Sequence, residues 1–207
     1  SGAAENIILS PAGGAVNLAD DKKITFGSGQ DLEIYHDASN SIIKDSGVGR
    51  LYIAASTLQV TNAAINETSA TFSTAGAATL YFANDSKFAT TATGVAVTGT
   101  VLATTDTDTS NTGSVTLDFA ANQNFVLTLT GNLTLANPST EQVGQAGVFV
   151  FIQDGTGSRT LSLGTDYETP AGAGITLSTA ASSVDVVPYF VKASGSIQLG
   201  TPQLAFS

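Results

Sequence analysis

From Ile7 to about Val101 the chain never builds a long apolar run. "NIIL", "AVNLADD", "KKITFGSG", "DLEIYHDASN", "SIIKDSGVG" and "RLYIAAS" follow in quick succession, each closed by Gly, Asn, Asp or Ser. Short apolar or alternating runs bounded by turn formers predict short strands joined by tight hairpins. Strands this short rarely close a sandwich from one chain; they fit a quasi-linear shaft in which each hairpin buries one face against a neighbouring copy. The stretch Thr61–Thr79 sharpens the point: it is small and polar, with Ile65 and Phe72 as its only bulky apolar residues. It cannot supply a core, so a partner must supply the missing surface. An echo between "NLADDKKITFGSG" (Asn17–Gly29) and "LYFANDSKFATTATG" (Leu80–Gly94) marks recurring hairpin units without a fixed period.

Composition points the same way. Gly numbers 21, and Thr, Ser and Asn supply most of the polarity, while charged residues are 12% against the usual ~25%. Thr suits a pleated surface, Gly and Asn suit turns, and the strong helix formers are scarce. The expected class is all-β. A net charge of −10 with seven Lys+Arg cannot build a basic groove, so nucleic acid is not an expected partner. No apolar run approaches the ~18 residues of a membrane helix, so no membrane insertion is expected. Cysteine is absent, which excludes disulfides and thiolate chemistry. Met is absent even at position 1, so the sequence is expected to be a fragment, a processed product or the interior of a longer protein.

The pattern changes near residue 104. "TTDTDTSNTG" holds no apolar residue and reads as a linker, giving an expected division into a shaft at 1–103, a linker at 104–113 and a C-terminal domain at 114–207. Beyond Ser114 the strands lengthen, and "VTLDF", "NFVLTLTG", "NLTLANP", "AGVFVFIQDG", "SRTLSLG", "GITLS", "VDVVPYFVKA" and "SIQLG" give seven or eight at the spacing of a β-sandwich or barrel. Val148–Ile152 is continuously apolar and should be central. Asp154-Gly155 reads as a positive-φ turn pair, and Pro188 should sit on an edge or at a bulge because it lacks an N–H.

Two segments carry a resemblance. "KITFGSGQDLEIYHDASNSIIKDSGVGRLYI" (Lys23–Ile53) and "LYFANDSKFATTATGVAVTGTV" (Leu80–Val101) resemble the shafts of bacteriophage tail fibres, those of marine phages especially. Asp31, Leu32, Ile34, Tyr35, His36, Asp37, Ser39, Asn40, Ser41 and Ile43 fit the first element. Leu80, Tyr81, Lys87, Thr90, Thr91, Thr93, Gly94, Val95, Val97, Thr98 and Gly99 fit the second. Where the family often has Gly after its His-Asp pair, this chain has Ala38. The stretch from Gly113 to Gly200 is similar to a β-rich domain at the ends of phage tail and virion proteins. The resemblance implies an elongated, intertwined or stacked homotrimeric β-shaft followed by a β-sandwich-like C-terminal domain, located in the virion tail. It also implies contacts to other phage tail proteins through an N-terminal anchor and to a host cell-surface glycan or protein.

Four candidate sites follow. His36 is the only histidine; near a three-fold axis three copies could hold a metal, but "YHDASN" reads better as a turn in which Asp37 and Asn40 bond their own backbone. The run Asp106, Asp108, Asn111 begins like a calcium loop. An EF-hand would need Gly and Glu where Asn111 and Leu117 stand, so a solvated linker is the preferred reading. Asp45, Asp85, Asp118, Glu141, Asp154, Asp166, Glu168 and Asp185 are scattered singly, which argues against a glycan-cleaving carboxylate pair; no enzyme, cofactor or metal is expected. Receptor contact falls to the loops Ala136–Gln145, Gln153–Arg159 and Asp166–Gly174. Tyr167 and Tyr189 are candidates to stack on sugars, and Asp154 and Arg159 are polar contacts. The expected function is host-surface attachment by a tail-fibre structural protein through multivalent binding. The alternatives are a virion component without host contact and a glycan-cleaving spike.

Overall fold

A computed structural model describes residues 16–206 of the chain; the strand expected at residues 6–9 lies outside them. The described residues are all-β, with no α-helix and one short 3-10 turn at Pro170–Gly172. The chain divides into two units, Ser1–Gly99 and Thr100–Ser207.

The first unit is built from hairpins. A three-stranded antiparallel sheet joins β1 (Ile24–Phe26), β2 (Leu32–His36) and β3 (Ser41–Asp45). A five-stranded antiparallel meander joins β4 (Thr57–Thr61), β5 (Thr68–Ser73), β6 (Ala78–Phe82), β7 (Asp85–Thr91) and β8 (Gly94–Val97). The turns follow the side chains available. Ala83 and Asn84 both take positive φ between the paired Phe82 and Asp85, the φ pattern of a two-residue type I′ hairpin, which Asn tolerates. The Asn84 side chain accepts the Thr68 N–H at 2.7 Å and donates to the Asn66 carbonyl at 3.2 Å, tying this hairpin to the β4–β5 loop.

Register shows where the apolar residues go. Because opposite residues of an antiparallel pair share a face, Val60, Ala70, Leu80, Phe88 and Val97 form one unbroken cross-strand row over five strands. Leu58, Phe72, Ala78, Thr90 and Val95 form the row beside it. In the three-stranded sheet Ile24, Ile34 and Ile43 align likewise, while Lys23 and Lys44 reach Glu33 on the opposite face at 2.9 and 3.7 Å. Both sheets are therefore amphipathic, yet no hydrophobic residue of this unit is buried among those described: Leu80 stays 50% exposed and Ile43 61%. The folded single chain leaves the apolar faces open.

The second unit has its own core. Strands β9 (Thr105–Thr116), β10 (Asn124–Ala136), β11 (Ala146–Gln153), β12 (Leu161–Leu163), β13 (Tyr167–Glu168), β14 (Val184–Ala193), β15 (Ser196–Leu199) and β16 (Gln203–Phe206) form one eight-stranded mixed sheet. The long β10 pairs in parallel with β9, β11 and β12, and β14 pairs antiparallel with β11, β15 and β16. β11 is central, as its continuous apolar run requires. The Tyr167 ring on β13 lies 6.2 Å from the Phe149 ring on β11. In the sheet order those strands are three apart, about 14 Å in a flat sheet, so the sheet curls over its own core. That core holds Phe125, Leu127, Leu129, Phe149, Val187 and Ile197, all at 0% exposure. One eight-stranded sheet curled on itself thus encloses the core.

Three local expectations are corrected. The segment 104–113 is not a linker, since nearly all of it lies in β9, parallel to β10. Most of its Thr, Asp and Ser side chains are exposed, with Asp106 half-buried; β9 pairs on one side only, and the charges protect that edge. Asn111 is the exception, 1% exposed, its amide donating to the Asp108 and Thr128 carbonyls at 3.1 and 3.2 Å. Pro188 is neither on an edge nor at a bulge. It sits inside β14, facing the gap between β15 and β16, where no partner asks for its missing N–H and its carbonyl accepts Gly200 at 2.8 Å. Positive φ falls at Gly157 and Ser158 rather than at Gly155, and a Cβ at Gly157 would collide with the Thr179–Ala181 backbone.

Candidate functional site

The structure brings Asp154 and Arg159 together and keeps Tyr167 and Tyr189 away from solvent. Gln153, the last residue of β11, is 3% exposed. Its amide closes the following loop: Nε2 donates to the Arg159 carbonyl at 2.9 Å, and Oε1 accepts the Arg159 N–H at 2.8 Å. Within this latch the Asp154 carboxylate accepts the Thr156 and Gly157 N–H groups at 3.0 and 2.9 Å. Arg159 grips it from the other side, Nη2 at 2.8 Å and Nε at 3.2 Å from Oδ2. A two-pronged guanidinium–carboxylate contact fixes orientation as well as charge. The loop is thereby a preformed surface feature, with both ionic side chains still partly exposed.

The Arg159 guanidinium, with the loop N–H groups, holds the Asp154 carboxyl down to about 2. A depressed carboxyl contributes stability above its unfolded value and loses it as pH falls through the folded one. The loop therefore keeps its geometry down to about pH 4 and opens as pH approaches about 2. Following the Asp154 carboxyl carbon by NMR checks this; an inflection near the ordinary aspartate value would rule the ion pair out.

Both tyrosines are core residues, which corrects their proposed role in sugar stacking. Tyr189 is 4% exposed; it stacks on Phe149 at 4.8 Å and its hydroxyl donates to the Gln123 carbonyl at 2.6 Å. Tyr167 is 5% exposed and sits edge-on to Phe149. Burial pushes the Tyr189 phenol up to about 12 and the Tyr167 phenol higher still. The other two loops are pinned from below. Glu141 Oε1 accepts the Gly195 N–H at 2.9 Å, which lowers its carboxyl, and the Asp166 N–H donates to Asn137 Oδ1 at 3.1 Å. Beside them the sheet edge opens into a cleft of about 790 Å³ whose lining includes Ser162, Thr165, Glu168, Thr169 and Ile175. The hydroxyls of "TLSLGTDYET" (Thr160–Thr169) are the sequence signal for that cleft.

His36 lies in the β2–β3 hairpin. Its Nδ1 is 3.3 Å from Ser41 Oγ, and Asp37 accepts the Ser39 and Asn40 N–H groups at 3.0 and 2.6 Å. This is the side-chain-closed turn expected from "YHDASN". Strand alternation places His36 on the same face as Ile34 and Ile24. Ala38 takes φ +69°, a left-handed conformation that costs an L-residue roughly 1–2 kcal/mol. Ala38→Gly is expected to raise stability by up to ~1 kcal/mol, read as a higher thermal midpoint; an unchanged or lower midpoint would show the turn to be unstrained.

Short one-sided hairpin sheets in one unit and a curled sheet with its own core and latched loops in the other define a modular all-β protein. Residues 103–196 match the family described as "Putative phage tail fibre C-terminal domain". That likeness supports a phage tail fibre protein, a component of the virion tail. No curated protein and no solved structure matches the chain.

Proposed function

We propose that this chain assembles as a homotrimer and attaches the phage to its host by multivalent, non-catalytic binding through the C-terminal unit. The supporting observation is the pair of uncovered apolar sheet faces in the first unit: the Leu80 and Ile24 rows are ordered, contiguous and left in water by the single chain. Three one-sided sheets meeting about an axis cover such faces mutually, with the Lys–Glu faces outward. Three copies then present three sets of loops, and linked weak contacts add through effective concentration. The contact surface is the Gln153–Arg159 loop with the hydroxyl-lined cleft at Ser162–Thr169; these groups suit a polyhydroxylated host glycan or a polar protein surface.

Sedimentation equilibrium should give three times the 20.9 kDa of one chain. A single-chain mass at micromolar concentration would sink the trimer, and failure of the trimer to adsorb to host cells or purified envelope glycan would sink the attachment role.

A further inference from the structure

The cleft of about 790 Å³ opens where the eight-stranded sheet fails to close. Its walls include β12 and β13, which stand at the two ends of the sheet and do not pair with each other. The cleft does not stop at β13. Glu168 and Thr169 also border a second hollow of about 290 Å³, and Gln198 and Leu199 carry that one into a third of about 290 Å³ beside Pro188 and Phe190. Register runs along the same path. Glu168 on β13 is partnered with Gln198 on β15, and Gln198 with Phe190 on β14. Partnered residues share a face, and here it is the outward one: all three are exposed, while Tyr167, Ile197 and Tyr189 beside them are buried. A carboxylate, an amide and a bare phenyl ring therefore stand in a line, at strand steps of about 4.8 Å.

We infer that this groove, from Ser162 through Glu168 and Gln198 to Phe190, binds an uncharged linear saccharide chain. The inference rests on the attachment reading and names its ligand. The strand step is close to the length of one sugar ring, so successive rungs meet successive units. Phe190, 45% exposed, offers a flat apolar face to the C–H side of a ring. The Gln198 amide both donates and accepts, and the Glu168 carboxylate accepts, which suits hydroxyl groups. The row is set before a ligand arrives: Glu168 Oε1 accepts the Ser196 hydroxyl at 2.7 Å, and Thr169 Oγ1 accepts the Gly174 N–H at 2.9 Å. A preformed site loses less on binding. Charge selects among sugars. Glu168 is the one charged residue lining the three hollows, and Lys192, 3.5 Å from it, is already engaged. An anionic chain would meet that carboxylate, on a protein of net charge −10, with no free cation in the groove to receive it.

The chain has no tryptophan, so Phe190→Trp places a single reporter at the end of the groove. The probes are linear gluco-, manno- and galacto-oligosaccharides long enough to span the row, with their sulfated counterparts. Each variant is first shown to keep the wild-type mass and circular dichroism. Uncharged chains should shift the indole emission saturably, and sulfated ones should not. Phe190→Ala should weaken calorimetric affinity for the best uncharged probe about tenfold, one aromatic contact of about 1.4 kcal/mol; Gln198→Ala, a second variant, should weaken it as well. Host cells treated with periodate, which cleaves the vicinal diols of sugars, should no longer take up the wild-type protein, and protease-treated cells should. Host adsorption that Phe190→Ala and Gln198→Ala both leave unchanged overturns the groove and leaves attachment standing. Adsorption lost after protease but kept after periodate overturns a saccharide as the ligand, and preference for sulfated probes overturns its uncharged character. A wild-type protein that adsorbs to no host cell overturns the attachment reading and this inference together.

Discussion

Leu80→Glu should reduce the sedimenting mass from three chains to one. Leu80 stands mid-row, between Ala70 and Phe88, with Val60 and Val97 at the ends. It is 50% exposed in the single chain, so a glutamate costs the isolated fold little. Once the face is covered, each copy would bury a carboxylate with no cation beside it, at several kcal/mol apiece. Three such penalties exceed what a shared apolar face of this size can offset. The control is Ala96→Glu, next to Val97 but on the opposite face, paired with Ala89; it should keep the wild-type mass. A Leu80→Glu protein that still sediments as three chains would show that this face is not where the copies meet.

Phe149→Ala should destabilise the C-terminal unit by about 3–5 kcal/mol, the range for removing a fully buried aromatic ring. Phe149 is 0% exposed and its ring centroid lies within 6.3 Å of those of Phe119, Phe125, Phe151, Tyr167 and Tyr189. Five aromatic neighbours arriving from different strands and loops cannot all move in to close the void. Since a domain is typically stable by only ~5–15 kcal/mol, the variant should show a large fall in urea midpoint with an unchanged slope. A loss below about 1 kcal/mol would mean that the ring is not at the centre of the core. The first unit should be insensitive to this change.

What the sequence made legible was what burial writes into it. The hairpins of the first unit were readable because their turns need particular residues, as at Asp37–Asn40, and the central place of β11 was readable from its unbroken apolar run. β9 was not, because pattern detects a buried face and an edge strand of Thr and Asp has almost none; only Asn111 and Val115 betray its inner side. Parallel pairing of β10 with β9, β11 and β12 leaves no local mark, since no turn connects such partners. The tyrosines misled for a related reason. A Tyr beside Asp166 or Pro188 looks like a wet aromatic, and nothing local tells that its ring lies on the core face while its neighbours do not. For the candidate site, the Gln153–Arg159 loop was found and its internal closure was not: Gln153 Oε1 and Nε2 act as a surrogate strand partner, a role visible only once the ends of the loop are seen to meet.

That surrogate pairing separates the frame of the loop from its tip. The latch uses Gln153, Asp154 and Arg159, and Gly157 is fixed by the backbone beneath it. Thr156 is exposed, and a side chain added at Gly155 would meet only open space. Two adjacent positions are thus free to vary while the frame stays constant, so the outermost chemistry of this loop can change without refolding the domain that carries it.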